Sequence, residues 1–301
     1  MDINDRIARL KREKNAVIAA HTYQPPAVQE LADILGDSFA LAQKAARSDA
    51  DTVVVCGVRF MAEGIKILSP KKRVVLASPR ADCPMARQIE PERVAAFRRA
   101  HPDIAVVAYI NTTAELKAVA DVCVTSSSAV QIVRRLPQRE ILFIPDKNLG
   151  DYVRRQVPEK NILTWDGYCP VHNAVTADDV LEAKAAHPGA AVAMHPECPP
   201  QALELADMVG STAAIIDYIR GVEGEVIVAT ERGVVDKLSL EYPGRLHQLR
   251  GDCLTCPDMK LTTPLMIAEA MEGIGGDEIA IDPALMEAAR SSLENMLTYG
   301  A

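Results

Sequence analysis

The chain has 301 residues, of which 49% are apolar and 25% charged, and its formal net charge is −8. This composition is typical of a globular protein with a large core, and the interspersed charges argue against general nucleic-acid binding. No apolar run approaches the roughly 18 residues that a membrane span needs, and the N-terminal sequence lacks the apolar segment of a signal peptide. Seven cysteines without a secretion signal favour a reduced, cytoplasmic setting, where clustered cysteines often form metal or redox sites.

Three copies of one pattern of predicted elements follow each other along the chain. The segments PPAVQELADILGDS (25–38) and PPQALELADMVGST (199–212) align at a constant offset of 174 residues, with a more diverged copy between them. The predicted helices are 3–14, 26–35, 39–47 and 60–68, then 91–100, 113–120, 128–135 and 148–155, then 176–186, 200–209, 213–220 and 232–239. The predicted strands are 16–20, 52–56 and 73–77, then 104–110, 140–144 and 161–164, then 190–194, 225–229 and 245–249. Two further helices are predicted over 264–272 and 283–297.

Each copy ends in a Cys-Pro pair, at Cys83, Cys169 and Cys256, with intervals of 86 and 87 residues. Short β-branched strands that alternate with amphipathic helices predict parallel α/β layers. We therefore expect an α/β protein of three homologous three-layer αβα domains around a pseudo-threefold axis. The predicted units are 1–87, 88–173 and 174–258, and the C-terminal segment 259–301 is expected to pack back and close the assembly.

Polar residues follow the first predicted strand of every copy. In open α/β sheets, ligands bind beyond the carboxyl ends of the strands. A single polar residue at a strand end is more often structural than functional, but six at equivalent positions predict one shared cavity. These six residues are His21, Tyr23, Tyr109, Asn111, His195 and Glu197.

The Ser/Thr-rich turns offer a second set of matched residues, Ser38, Ser126 and Thr212. Each is expected to cap the N-terminus of the helix that follows, which by itself would explain the residue type. Three helix N-termini that converge on one cavity would also bind phosphate or carboxylate well. The sequence therefore predicts a small polyanion as ligand.

The cysteines fall into separate groups. The three Cys-Pro thiols suit either a zinc site or a [4Fe–4S] cluster in which one iron lacks a protein ligand and acts as a Lewis acid. Cys56 and Cys123 lie in apolar strand-like runs and are expected to be buried fillers. Cys198 has no equivalent in the other copies and is expected either to support the site residues from behind or to be structural. Cys253 and Cys256 form a CxxC motif, a spacing that can support redox chemistry, but only Cys256 is followed by proline.

With these residues assembled, the chain resembles the quinolinate synthase (NadA) family over essentially its full length. The motifs that carry the resemblance are HTYQ (21–24), GDS (36–38), YINTT (109–113), TSS (125–127), DGYCPVH (166–172), MHPEC (194–198), GST (210–212) and GDCLTCP (251–257). The resemblance implies three αβα domains around a pseudo-threefold axis and a [4Fe–4S] cluster on Cys83, Cys169 and Cys256. The implied reaction of NAD biosynthesis condenses iminoaspartate with dihydroxyacetone phosphate to give quinolinate, phosphate and two waters.

The resemblance also implies a set of active-site residues: His21, Tyr23, Ser38, Tyr109, Asn111, Ser126, His172, His195, Glu197 and Thr212. Among them, Tyr23 and Glu197 are the expected acid/base groups, while His195 and His21 would orient or polarise oxygens. Some family members form a disulfide within the CxxC, which makes Cys253 a redox candidate. The implied partners are the two small-molecule substrates and, transiently, the enzyme that produces iminoaspartate. No nucleic-acid or membrane partner is expected.

Two other functions fit parts of the same pattern. An aconitase-like hydro-lyase would use the cluster on a small hydroxy acid, although the Ser/Thr turns favour a phosphorylated substrate. A zinc-containing or metal-free α/β protein would bind an anionic metabolite without catalysis.

Overall fold

The computed structural model of the chain describes residues 2–300, except for the side chain of Asp252. The chain forms three sheets with parallel cores and helices packed against them, which confirms the predicted α/β class. Among the described residues, no helix has the length and apolar character that crossing a membrane requires.

The elements of each sheet follow one another in sequence. The first set is α1 (Ile3–Glu13), β1 (Ala16–His21), α2 (Pro26–Gln29), β2 (Ile34–Gly36), α3 (Ser38–Arg47), β3 (Thr52–Cys56), α4 (Arg59–Leu68) and β4 (Arg73–Leu76). The second set is α5 (Pro91–Ala100), β5 (Ala105–Tyr109), α6 (Ala114–Ala118), β6 (Val122–Val124), α7 (Ala129–Arg135), β7 (Glu140–Ile144), α8 (Lys147–Gln156) and β8 (Asn161–Thr164). The third set is α9 (Ala177–Ala186), β9 (Ala191–Met194), α10 (Pro200–Leu203), β10 (Met208–Val209), α11 (Thr212–Gly221), β11 (Val226–Ala229), α12 (Gly233–Glu241) and β12 (Leu246–Gln248).

The three sheets share one strand order. They run β2-β1-β3-β4, β6-β5-β7-β8 and β10-β9-β11-β12, and all of these neighbours are parallel. In a parallel sheet the carboxyl ends of all strands lie at the same edge. The loops that follow the strands therefore gather at one edge of each sheet, and these loops carry the predicted site residues.

The predicted helices 26–35 and 200–209 are wrong in their second halves, and the predicted helix 113–120 extends two residues too far at its end. The helices end at Gln29, Ala118 and Leu203, and the chain then forms the short edge strands β2, β6 and β10. Each sheet consequently has four parallel strands where the sequence pattern predicted three.

An aspartate in each turn explains the early helix end. The backbone N–H of Asp33 donates to the carbonyl of Ile18 at 3.0 Å, and its carboxylate accepts the N–H of Ile18 at 2.9 Å. The same pair of bonds joins the equivalent residues of the other sheets, Asp121 with Val106 and Asp207 with Val192. An aspartate that bonds a neighbouring strand offers its backbone an alternative to the helix. The chain is thereby directed alongside β1, β5 or β9 as an edge strand.

The C-terminal tail contacts the first two sheets. It comprises α13 (Pro264–Glu272), β13 (Asp277–Glu278) and α14 (Pro283–Gly300). Helix α13 lies against α1 and β3, and β13 pairs antiparallel with β4. Helix α14 packs on α6, α7 and β6, and it buries Ala289, Leu293 and Met296. The tail therefore adds core contacts to the first two sheets.

Candidate active site

The carboxyl ends of β1, β5 and β9 meet at one cavity, which we name the polar cavity. Its empty volume is about 460 Å³, part of it open to solvent. The structure brings together here nine of the predicted residues: His21, Tyr23, Ser38, Tyr109, Asn111, Ser126, His195, Glu197 and Thr212. Asp37, Met61, Thr125 and Met259 also line it and were not predicted.

The prediction that Ser38 and Thr212 cap their helices is wrong. Ser38 is the first residue of α3, and the cap is Asp37, whose carboxylate accepts the backbone N–H groups of Phe39 and Ala40 at 3.1 and 2.8 Å. Thr212 likewise begins α11, and the hydroxyl of Ser211 caps that helix. Because a neighbour performs the capping, the Ser38 hydroxyl remains available to a ligand, while the Thr212 hydroxyl contacts Oη of Tyr23 at 2.7 Å.

Ser126 is not a helix cap either. Helix α7 begins at Ala129, and Ser128 stands at its N-cap position without a side-chain capping bond. Ser126 lies two residues earlier, where its Oγ is 3.3 Å from Nε2 of His195. This contact links a hydroxyl after β6 to an imidazole after β9.

A second cavity contains the three Cys-Pro cysteines, and we name it the thiol cavity. Its empty volume is about 440 Å³, and apolar side chains such as Val58, Phe60 and Met85 form much of its wall. Cys83, Cys169, Cys256 and His172 line only the thiol cavity, while Tyr23, Asn111, Glu197 and Met259 line both cavities. The two cavities therefore share a wall in which three of the four side chains are polar.

The Cys-Pro pairs have a common local geometry. After each cysteine the chain makes a short 3₁₀ turn, over Pro84–Arg87, His172–Ala174 and Asp258–Lys260. The backbone N–H three residues beyond each cysteine, at Ala86, His172 and Met259, lowers the pKa of the thiol and so opposes the larger effect of burial. Proline, which has no N–H and a fixed φ, suits the start of such a turn. It begins the first of these turns and precedes the other two.

The three cysteines of the thiol cavity fit a polynuclear iron–sulfur cluster better than one zinc ion bound to all three. Zinc bound to three thiolates would hold the sulfurs roughly 3.8 Å apart, given its tetrahedral geometry and Zn–S bonds of about 2.3 Å. Within residues 2–300 the three sulfurs do not all lie within 4.8 Å of one another. Burial raises the pKa of Cys83 to about 12 and that of Cys256 to about 11. Thiols in such surroundings ionise only when a cationic centre binds them.

Glu197 connects the two cavities. Its Oε2 lies 2.9 Å from Nδ1 of His172 and 3.2 Å from Nδ1 of His195, and the carboxyl group is almost fully buried. Burial would raise the pKa of Glu197, but the two imidazoles outweigh this effect and hold the pKa below its usual range. Its Oε1 is buried without a hydrogen-bond partner among the described residues. An unpaired buried acceptor of this kind calls for an explanation, and a bound ligand supplies one.

His172 has contacts on three sides. Its Nδ1 lies 3.3 Å from Sγ of Cys169, and its Nε2 lies 3.1 Å from the hydroxyl of Thr230. The same Thr230 hydroxyl is 3.1 Å from Oη of Tyr23, which in turn is 2.7 Å from the hydroxyl of Thr212. A chain of polar contacts thus runs from a cysteine of the thiol cavity to the polar cavity.

Tyr23, His21 and His195 are shifted towards their neutral forms. Burial raises the pKa of Tyr23, and the Glu197 charge adds to this effect. Burial, with a smaller contribution from Lys260, lowers the pKa of His21 to about 3, and burial also lowers the pKa of His195. These shifts favour a neutral phenol at Tyr23 and neutral imidazoles at His21 and His195.

The sequence pattern did not predict the ion pair between Lys260, which is partly exposed, and the buried Glu231 beside Cys256. Nζ of Lys260 lies 3.0 Å from Oε1 of Glu231 and donates to the carbonyl of Tyr23 at 2.6 Å. The Glu231 carboxylate also accepts the N–H of Cys256 at 3.1 Å. Glu231 lies just beyond the carboxyl end of β11. Its position is therefore a sequence signal of the same kind as that of the polar residues that follow the first strands. No sequence signal marks Lys260.

The other cysteines lie apart from these contacts. Cys56 and Cys123 are fully buried in β3 and β6, as predicted for fillers. Cys198 is also buried, with Sγ 3.8 Å from the carbonyl of Ala229, in keeping with a structural role. Cys253 is exposed, Cys256 is partly buried, and neither forms a disulfide.

Comparisons with known proteins agree with this geometry. The family model described as "Quinolinate synthetase A protein" matches residues 5–298. A quinolinate synthase of Methanoregula boonei is 45% identical over 296 residues, which cover 98% of this chain and 97% of the relative. The quinolinate synthase of Clostridium acetobutylicum is 44% identical over 99% of this chain and 99% of its own length. That of Aquifex aeolicus is 44% identical over 98% of this chain and 94% of its own length. The chain therefore belongs to the quinolinate synthase (NadA) family and is an enzyme of NAD biosynthesis.

Proposed function

We propose that this enzyme condenses iminoaspartate with dihydroxyacetone phosphate at the wall shared by the two cavities. The products would be quinolinate, phosphate and two waters, which balances the atoms of the two substrates. The observation that carries the proposal is that Tyr23, Asn111 and Glu197 line both cavities. A substrate in the polar cavity would thereby contact proton-transfer groups and the cysteine-held cofactor at the same time.

Cys83, Cys169 and Cys256 would hold a [4Fe–4S] cluster in the thiol cavity. When bound, such a cluster supplies a Lewis-acidic iron that lacks a protein ligand and can polarise a substrate oxygen or nitrogen. The apolar wall supports this assignment because it keeps water away from the sulfurs. His172 would orient Glu197 against that wall through its 2.9 Å contact.

The hydroxyls of Ser38, Ser126 and Thr212 would bind the substrate phosphate and carboxylates. Ser38 and Thr212 each begin a ten-residue helix, so the positive end of the helix dipole adds to the hydroxyl. Asn111 and Tyr109 contribute further donors to the same cavity. These neutral donors can bind the anionic groups of the substrates through hydrogen bonds and need no buried positive charge.

Glu197 would act as the proton acceptor because its carboxyl group is held ionised in the site. Tyr23 would act as the proton donor because its phenol stays protonated and is fixed by Thr212 and Thr230. His21 and His195, as neutral imidazoles, would orient and polarise substrate oxygens. Each such proton transfer is typically worth about 10²–10⁴-fold in rate.

The three sheets are proposed to belong to homologous αβα domains, 1–87, 88–173 and 174–258, around a pseudo-threefold axis, with 259–301 as a closing segment. The common strand order and the matched aspartate contacts support this division. The free thiols among the described residues suit a cytoplasmic setting. Cys253, an exposed thiol three residues before Cys256, is proposed as its redox partner. We also propose that this enzyme transiently contacts the enzyme that makes iminoaspartate.

Anaerobic purification followed by a product assay tests the proposed function. Broad absorbance at about 400 nm with about four irons per chain is expected, together with equal amounts of quinolinate and phosphate from the two substrates. Colourless protein with one zinc would contradict the cofactor assignment. Cluster-loaded protein that dehydrates a hydroxy acid but forms no quinolinate would instead support the hydro-lyase alternative.

A further inference from the structure

Two histidines and a glutamate converge at one point of the third sheet. His187 follows α9, Glu225 directly precedes β11, and His247 lies in β12. Nε2 of His247 is 2.8 Å from Oε2 of Glu225, and Nδ1 of His187 is 4.0 Å from the same oxygen. The two rings are stacked, with centroids 3.5 Å apart and planes inclined by 19°. One atom from each side chain lies within 4.8 Å of the other two.

This cluster is separate from both cavities described above. Glu225 and His187 lie before the first residues of β11 and β9, whereas the polar cavity lies beyond the carboxyl ends of the strands. The side chains of His187, Glu225 and His247 are 34%, 54% and 23% exposed. An ion in solution can therefore reach all three without entering the polar or the thiol cavity.

We propose that His187, Glu225 and His247 form a binding site for a divalent transition-metal ion of the zinc class. Two imidazoles and one carboxylate are a donor set that zinc uses with a water molecule as fourth ligand. Tetrahedral zinc with bonds of about 2.05 Å places its donor atoms roughly 3.3 Å apart. The observed separations of 2.8 and 4.0 Å lie on either side of that value.

Metal binding requires one local change. Two imidazoles on the same tetrahedral ion stand farther apart than the 3.5 Å of the stacked rings, so the rings must separate. Their partial exposure leaves room for this rotation, and the carboxylate already faces both rings. The bound ion would tie the α9–β9 turn to β11 and β12. It would then stabilise the folded third sheet, because a ligand that binds only the native state shifts the unfolding equilibrium.

Isothermal titration of the cluster-loaded enzyme with Zn²⁺ at pH 7.5 tests the site. The wild type is expected to bind one Zn²⁺ per chain, and H247A and E225Q are expected to bind it at least about tenfold more weakly. His101 is an exposed histidine on a different sheet, stacked on Phe97, so H101A is the matched control and should bind like the wild type. The unfolding temperature should rise with Zn²⁺ in the wild type and H101A only.

Iron content and the absorbance at about 400 nm are followed in the same samples. A fall in either quantity would show that Zn²⁺ displaces iron from the cluster. Such displacement would occur equally in all variants. The proposal is overturned if H247A and E225Q bind Zn²⁺ as tightly as the wild type, or if the wild type binds none at about 100 μM. Neither outcome affects the proposed synthase activity, which is measured separately as quinolinate formed.

Discussion

Nδ1 of His172 lies 2.9 Å from Oε2 of Glu197, and this contact joins a residue of the thiol cavity to one that lines both cavities. His172 follows Cys169 by three residues, and Glu197 follows β9 of the next sheet. A displacement of either residue would therefore alter the thiol and polar cavities together.

Replacement of Glu197 by glutamine tests its role as proton acceptor. The amide keeps the size of the side chain but cannot take up a proton, so kcat is expected to fall by about 10²–10⁴-fold. The measurement is the rate of quinolinate formation, with iron content determined in parallel. Gln156, at the exposed end of α8, is remote from both cavities, and Q156E should keep the wild-type rate. An E197Q enzyme at the wild-type rate would refute the assignment.

Cys256 and Cys253 should differ sharply when each is changed to alanine. C256A removes a sulfur of the thiol cavity, so the absorbance at about 400 nm and the iron content should be lost. C253A removes an exposed thiol and should retain both. The two variants are controls for each other, because they change the same residue type three positions apart. Cluster loss in C253A with retention in C256A would reverse the assignment.

Lys117 is fully buried and holds the loop that carries Asn111. Its ammonium donates to the carbonyl of Thr112, to the carbonyl of Ile110 at 2.9 Å and to the Thr112 hydroxyl at 3.4 Å. That hydroxyl in turn donates to the carbonyl of Tyr109 at 3.0 Å. Three acceptors match the three N–H bonds of an ammonium group. We infer that Lys117 fixes the backbone between two residues of the polar cavity.

The K117M variant should lose about 3–5 kcal/mol of unfolding free energy, because it leaves buried carbonyls without their charged donor. Denaturant unfolding measures the loss, and K44M, at an exposed position of α3, should change stability by less than about 0.5 kcal/mol. If K117M were as stable as K44M, the contacts of Lys117 would not stabilise the fold.

The aspartates that end the second helix of each set give a further prediction. D207A removes the acceptor for the Val192 N–H, which lies at 2.8 Å, and should cost about 1–3 kcal/mol. Hydrogen exchange at Val192 should accelerate, since its bond to the side chain is lost. The control is D217A on the exposed face of α11. Equal exchange in both variants would show that the edge strand forms without this contact.

Much of the site could be predicted from the sequence because it depends on repetition. The three Cys-Pro pairs and the six strand-end residues occur at matched positions, and parallel strands carry matched positions to the same edge. The edge strands could not be predicted in this way. The sequence pattern predicted residues 30–35 as a continuation of the helix, whereas in the structure the contacts of Asp33 with Ile18 direct the chain into a strand.

Contacts between distant segments were also invisible in the sequence. Lys260 and Glu231 lie 29 positions apart in the sequence with nothing to link them, and only the fold brings them together beside Tyr23 and Cys256. The capping of α3 was mispredicted for a local reason. Asp37 and Ser38 are both good capping residues, and the carboxylate takes the position and leaves the serine hydroxyl free.

The most direct test of the shared-wall account is quinolinate formation by Y23F under anaerobic conditions. Phenylalanine keeps the ring that packs against His21 and removes only the hydroxyl held by Thr212 and Thr230. The account predicts that turnover falls at least about 100-fold, while the absorbance at about 400 nm and the iron content stay at wild-type levels. Turnover at the wild-type rate in the cluster-loaded Y23F enzyme would contradict it.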